Sequence, residues 1–118
     1  MAYVDGFVIP IPVKKLAAYK KMATLACKIW KEHGALDYYE AVGEDMKTQM
    51  GVPFPKLAKA KKGETVVFAW VVYKSRKHRD AVNKKVMADP RLNCMDPKDM
   101  PFDCKRMTYG GFNIIVKG

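Results

Sequence analysis

From Tyr3 to Ile11 the residues fall into two alternating sets, Tyr3, Asp5, Phe7, Ile9, Ile11 and Val4, Gly6, Val8, Pro10. Period two predicts a strand, and Pro10 and Pro12, which lack amide donors, close it. The spacing then changes. Leu16, Tyr19, Ala23, Ala26, Trp30 and His33 recur at three- and four-residue steps, which predicts a helix over Val13–His33 with these side chains on one face. Lys14, Lys20, Lys21, Lys28 and Lys31 lie largely off that stripe, and Gly34 suits the position just past the last turn. Period two returns over Leu36–Gly43, with Leu36, Tyr38, Glu40, Val42 set against Asp37, Tyr39, Ala41. A long connection, Glu44–Gly63, is broken by Gly51, Pro53 and Pro55, and a turn of helix is expected over Lys56–Lys62. A third strand covers Glu64–Lys74. Ser75 is the expected N-cap of a second helix, Arg76–Ala88, with His78, Ala81, Val82 and Val86 on one face, stopped by Asp89-Pro90. After a turn-rich stretch, Arg91–Pro101, a last strand is expected over Phe102–Lys117, with a bulge or bend at Gly110-Gly111.

Strand, helix, strand, strand, helix, strand in 118 residues predicts a single domain over residues 1–118. Two strand–helix–strand units make an α+β, ferredoxin-like βαββαβ fold, a four-stranded antiparallel sheet with both helices on one face. The third strand, Thr65-Val66-Val67-Phe68-Ala69-Trp70-Val71-Val72-Tyr73, is apolar on both of its faces. Two helices cover one face of a small sheet, so the other needs a partner, and a second copy packed sheet to sheet supplies it. The expected assembly is a homodimer through its sheet faces, a dimeric α+β barrel.

Several phrases carry a resemblance. Tyr3-Val4-Asp5-Gly6-Phe7-Val8, Trp30-Lys31-Glu32-His33-Gly34-Ala35-Leu36 and Gly63-Glu64-Thr65-Val66-Val67-Phe68 are followed in order by Ser75-Arg76-Lys77-His78-Arg79-Asp80, Val86-Met87-Ala88-Asp89-Pro90-Arg91, Met100-Pro101-Phe102-Asp103 and Arg106-Met107-Thr108-Tyr109-Gly110-Gly111-Phe112. Over nearly its whole length the chain closely resembles the YbaA-like family of small bacterial proteins of unknown function. The resemblance implies the dimeric α+β barrel and no established reaction; relatives by fold include cofactor-free monooxygenases, haem-degrading enzymes and plain ligand binders, among which fold does not choose.

Charge changes the picture in one respect. A net charge of +10 attracts polyanions. The basic residues Lys14, Lys15, Lys20, Lys21, Lys28, the cluster Lys56–Lys62, Lys74, Arg76, Lys77 and Arg79 stand without the aromatic phrases of an RNA-recognition motif, so the expected nucleic-acid affinity is weak and non-specific. No apolar run reaches the ~20 residues of a membrane span, and Met1–Gly6 reads as a strand rather than a signal peptide. Cys27, Cys94 and Cys104 form no Cys-x-x-Cys pair and read as reduced thiols, consistent with a cytoplasmic location.

Three residues are candidates for acid–base chemistry. His78, in the first turn of the second helix, suits a general base or a core-edge histidine bonded to backbone. Asp5 and Glu40 interrupt apolar alternation; facing a lumen they become acid–base groups, facing solvent they are ordinary, and the pattern leaves their face open. Arg76 and Arg79 are candidate anion holders beside free helix amides, with a solvated face as the alternative. Trp30 and His33 belong to the first helix stripe as core or ligand contacts. Trp70 is a candidate ligand contact, and Arg106 a candidate partner of Asp5, Glu40 or an acid of the partner chain. The two histidines stand 45 positions apart, no Cys/His cluster has metal-ligand spacing and no phosphate loop, nucleophile elbow or dinucleotide fingerprint occurs, so neither metal nor cofactor is expected. The expected function is small-molecule binding between sheet and helices, with any reaction unspecified. The alternatives are a basic RNA- or polyanion-binding protein and an interaction module without a ligand.

Overall fold

The computed structural model describes residues 1–93 and 99–118. Cys94 and Pro97, with the middle of the expected turn-rich stretch, lie outside the described residues. The main elements in chain order are β1 Tyr3–Pro12, α1 Leu16–Glu32, β2 Asp37–Val42, the single turn α2 Phe54–Leu57, β3 Glu64–Tyr73, α3 Arg76–Met87, the single turn α4 Pro90–Asn93 and β4 Thr108–Asn113. The four strands form one antiparallel sheet in the order β2-β3-β1-β4, the ferredoxin-like topology. The core lies between one face of this sheet and α1 and α3.

Local chemistry explains where the helices begin and end. Ser75 accepts the amide of His78 at 3.1 Å and opens α3. At the end of α1, Gly34 takes φ +114, its amide reaches the Lys31 carbonyl and the Ala35 amide reaches that of Trp30, the paired bonds of a glycine C-cap. The buried stripe of α1 is Tyr19, Ala23, Ala26 and Ile29. Ile29, outside the expected stripe, is fully buried because α3 packs beside the end of α1 and widens the covered sector; Trp30 is partly buried at the flank.

Two expected elements shift. The last strand spans Thr108–Asn113, not Phe102–Lys117. Asp103 accepts the Lys105 amide at 2.9 Å and caps a single 3₁₀ turn at Cys104–Arg106, which turns the chain before the strand starts. The helical turn expected over Lys56–Lys62 forms earlier, with Pro55 in its first turn, where a missing amide is not needed. No bulge interrupts Gly110-Gly111, since pairing with β1 is continuous from Val8–Thr108 to Tyr3–Asn113. The glycines serve packing instead: the Tyr3 ring occupies the space a Cβ of Gly111 would need, and the Phe112 ring lies across Gly6 and Gly110 on the opposite face.

That opposite face carries Tyr39, Phe68, Trp70 and Phe112. Tyr39 stacks on Trp70 with centroids 5.1 Å apart, Phe68 meets Trp70 at 5.4 Å, and Phe54 from α2 leans on Phe68 at 5.9 Å. Tyr39, Phe68 and Phe112 remain 51%, 43% and 59% exposed. β3 therefore has apolar side chains on both faces, as its sequence implied. No helix among the described residues is long and apolar enough to cross a membrane.

Candidate functional site

Alternation along β1 places Tyr3, Asp5, Phe7 and Ile9 on the helix side of the sheet, and alternation along β2 places Tyr38 and Glu40 there too. Across the sheet, Glu40 stands beside Ala69 and Ala69 beside Phe7; one row on, Tyr38 stands beside Val71 and Val71 beside Asp5. Ala69 is the small residue in the middle of β3. Above it, α1 presents Ala23 and Ala26. Small side chains on both layers leave a cavity of about 620 Å³. Met22 and Trp30 of α1, Asn83 and Met87 of α3, and Leu92, Met100, Phe102 and Met107 complete its walls. Against a lining that is mostly apolar, three charged side chains enter it: Asp5, Glu40 and Arg79.

Asp5 is almost fully buried and bonds Arg79 Nη1 through Oδ1 at 2.7 Å. Burial raises its carboxyl above the ordinary value, with Arg79 and then Asn83 pulling it back. The Arg79 guanidinium also bonds Asp80 through Nε at 2.7 Å and lies 5.0 Å above the Tyr3 ring. Asn83 Oδ1 accepts from Trp30 Nε1 at 3.3 Å and from the Tyr73 hydroxyl at 3.2 Å, which ties α1, β3 and α3 together around the same corner.

Glu40 is held differently. The Tyr19 hydroxyl donates to its Oε1 at 2.6 Å and the Tyr38 hydroxyl to its Oε2 at 2.7 Å. Burial first, and the Glu40 carboxylate second, push both phenols well above their usual range, so both remain donors. Tyr19 meets Phe102 edge-on at 5.6 Å and Tyr38 lies 6.0 Å from Trp30, so each phenol that holds the carboxylate packs on a further ring. Tyr19, Ala23, Tyr38 and Glu40 also line a second hollow of about 590 Å³ between α1 and β2, which adds Lys20, Thr24 and Cys27.

Of the residues singled out from sequence, Asp5, Glu40, Arg79 and Trp30 come together at the cavity. The other five do not line it. His78 Nδ1 accepts the Lys74 amide at 3.0 Å and the ring lies edge-on to Tyr73, which is the backbone-bonded arrangement. Arg76 is on the outer side of α3, 74% exposed and 4.0 Å from Asp80. Trp70 is on the far face of the sheet. His33 Nε2 sits 2.9 Å from Asp89, whose carboxyl is held far below the carboxylate range by Arg91 and then His33; this cluster fastens the end of α1 to α4. Arg106 pairs with neither Asp5 nor Glu40: it grips Glu64 with both terminal nitrogens, at 2.8 and 2.7 Å, and lowers that carboxyl to about 2. Tyr19, Tyr38, Asn83 and the methionines Met22, Met87, Met100 and Met107 went unremarked as site residues. Tyr38 was legible, since it shares the parity of Glu40; Asn83 was legible as the polar residue one position from Val82 on α3.

The sequence decides the family. A family model described as a protein of unknown function, DUF1428, matches residues 2–104. The chain belongs to this family. It is 45% identical over 116 residues, 98% of both chains, to the uncharacterized protein YbaA of Escherichia coli K12, and equally to that of Shigella flexneri. Among solved structures it is similar to an uncharacterized NIPSNAP domain protein from Burkholderia xenovorans, with a TM-score of 0.57 at 16% identity over 97% of this DUF1428 chain and 95% of that one. A dimeric ferredoxin-like protein from an uncultured marine organism matches with a TM-score of 0.54 at 15% identity over 100% of both chains. These two likenesses concern the fold alone.

Proposed function

We propose that this DUF1428 protein is a cytoplasmic homodimer that binds a small, largely apolar molecule in the cavity between sheet and helices. One observation carries the reading: a hollow of about 620 Å³ lies between sheet and helices, and Ala23, Ala26 and Ala69 are among the residues that line it. That volume falls within the ~300–1,000 Å³ of ordinary ligand sites, and Asp5, Arg79, Asn83 and Glu40 supply the few polar groups such sites use to orient an occupant. Unbranched methionines along the wall let it adapt to an irregular shape. Filling the space tests the reading. Ala26→Phe should leave the fold intact by circular dichroism and abolish binding of a neutral apolar dye that the unaltered protein takes up. Undiminished dye binding in that variant would remove the cavity as the site.

A second reading draws on the far face of the sheet. Tyr39, Phe68 and Phe112 are exposed on that face, with Trp70 partly buried between Tyr39 and Phe68, on a chain of net charge +10. If that face is free in solution, bases of a single-stranded nucleic acid have rings to stack on and cations nearby for the phosphates. Dimerisation through the face and nucleic-acid binding on it exclude one another.

A further inference from the structure

The charges around the cavity are unbalanced, and the imbalance bears on what fills it. Its titratable lining consists of Asp5, Glu40 and Arg79, with tyrosines and Cys104. Arg79 is already engaged by two carboxylates, Asp5 at Nη1 and Asp80 at Nε. Glu40 has no basic side chain within ion-pair distance among the described residues, and its partners are the Tyr19 and Tyr38 hydroxyls alone. Each of its oxygens accepts one bond and keeps lone-pair capacity for another. Lys20 lines the neighbouring hollow without pairing to it. Its two phenol partners are themselves packed on further rings, Tyr19 on Phe102 and Tyr38 on Trp30, and aromatic faces attract cations.

We propose that the occupant of this cavity is an organic cation, a protonated amine on a compact apolar body, with its charged end against Glu40 beside Tyr19 and Tyr38 and its body over Ala69 and the methionines. An ammonium supplies the missing positive charge, up to three donors for the free lone pairs, and a partner for the ring faces. A carboxylate ligand meets the opposite conditions: Glu40 repels it and Arg79 has no unshared charge to offer. A neutral alcohol donates to one of the lone pairs and brings no charge to meet that of Glu40. This inference rests on the cavity being a binding site, and the test separates the two.

Three probes share a phenylethyl body and differ in the charge and hydrogen-bonding capacity of the polar end: 2-phenylethylamine, 2-phenylethanol and 3-phenylpropanoate. Each is titrated into the intact protein at pH 7, by calorimetry and by displacement of the neutral dye. The amine should bind at least tenfold more tightly than the alcohol, and the carboxylate most weakly. Glu40→Gln keeps the shape and a carbonyl acceptor, so it should reduce the amine to the affinity of the alcohol while dye binding persists. Equal affinities for amine and alcohol, tightest binding by the carboxylate, or dye binding with no displacement by the amine overturns the cationic occupant and leaves the cavity standing. Failure of the unaltered protein to bind the dye removes both.

Discussion

The buried pair Asp5–Arg79 shows how burial and charge compete at a single side chain. Burial lifts the Asp5 carboxyl and Arg79 only partly offsets it, so the ionised form is less favoured in the folded chain than in the unfolded one. A raised carboxyl costs stability above its folded value and recovers it as pH falls and the group takes up a proton. Removing Arg79 takes away the compensation and keeps the cost. Arg79→Met should therefore lose about 3–5 kcal/mol near neutral pH, the usual penalty for a buried charge stripped of its partner, and the loss should shrink by pH 5. Asp5→Asn removes the charge that burial penalises and leaves Arg79 bonded to Asp80, so its loss should be about 1 kcal/mol or less. Urea unfolding of both variants at pH 7.5 and 5 decides it; equal losses, or a loss for Arg79→Met that grows on acidification, contradicts the account. At this scale the sequence was half legible. It marked Asp5, Glu40, Arg79 and Trp30, which do gather, because acids inside strand alternation and a tryptophan on a helix stripe are conspicuous. It also marked His78, His33, Arg76, Trp70 and Arg106, whose roles depend on which atoms lie opposite, and that is set by packing across the sheet.

Elements were more legible than side chains, because period and capping are written locally. Ser75 and Gly34 do what their positions imply. The start of β4 was not legible: Phe102 and Met107 have strand-like neighbours, and only the Asp103 turn, which aims Phe102 at Tyr19, separates them from the strand. The glycine pair, expected to mark a bulge or bend, is a packing device. Gly111 faces the Tyr3 ring so closely that a methyl group cannot share the space, while Gly110 has a Cβ position 3.9 Å from the Phe112 ring, which is ordinary contact. Gly111→Ala should then destabilise by about 1–3 kcal/mol, the cost of overpacking, and Gly110→Ala should change stability by well under half as much. Thermal unfolding of the two variants measures the difference, and comparable shifts would mean that the pair is needed for backbone freedom and not for the close approach of Tyr3.

For the whole molecule, the two-faced β3 remains the deciding feature. Its helix-side residues Val67, Ala69, Val71 and Tyr73 are at most 4% exposed, while on its far side Val66 is buried and Phe68 and Trp70 pack on each other, with Tyr39 against Trp70 and Phe54 of α2 against Phe68. Phe68, Tyr39 and Phe112 left in water on one sheet make a contiguous apolar patch of the kind that marks an interface, yet copies of a chain with net charge +10 repel. Dimerisation through this face therefore requires apolar contact to outweigh that repulsion, and screening should help it. Sedimentation at micromolar concentration should give a dimer that tightens from 20 to 300 mM salt, and Phe68→Glu should yield a folded monomer that still takes up the apolar dye, since the cavity lies on the other side of the sheet. A polyanion on the same face behaves in the opposite sense: each phosphate contact releases counterions, so its affinity falls steeply over the same range. A monomer at 300 mM salt that binds single-stranded RNA at 20 mM and loses it on substitution of Phe68 or Trp70 would replace the dimer with a nucleic-acid platform. A salt-strengthened dimer with no RNA shift leaves the aromatic row as the interface between two copies and the alanine-floored cavity as the place where the chemistry of this family is to be sought.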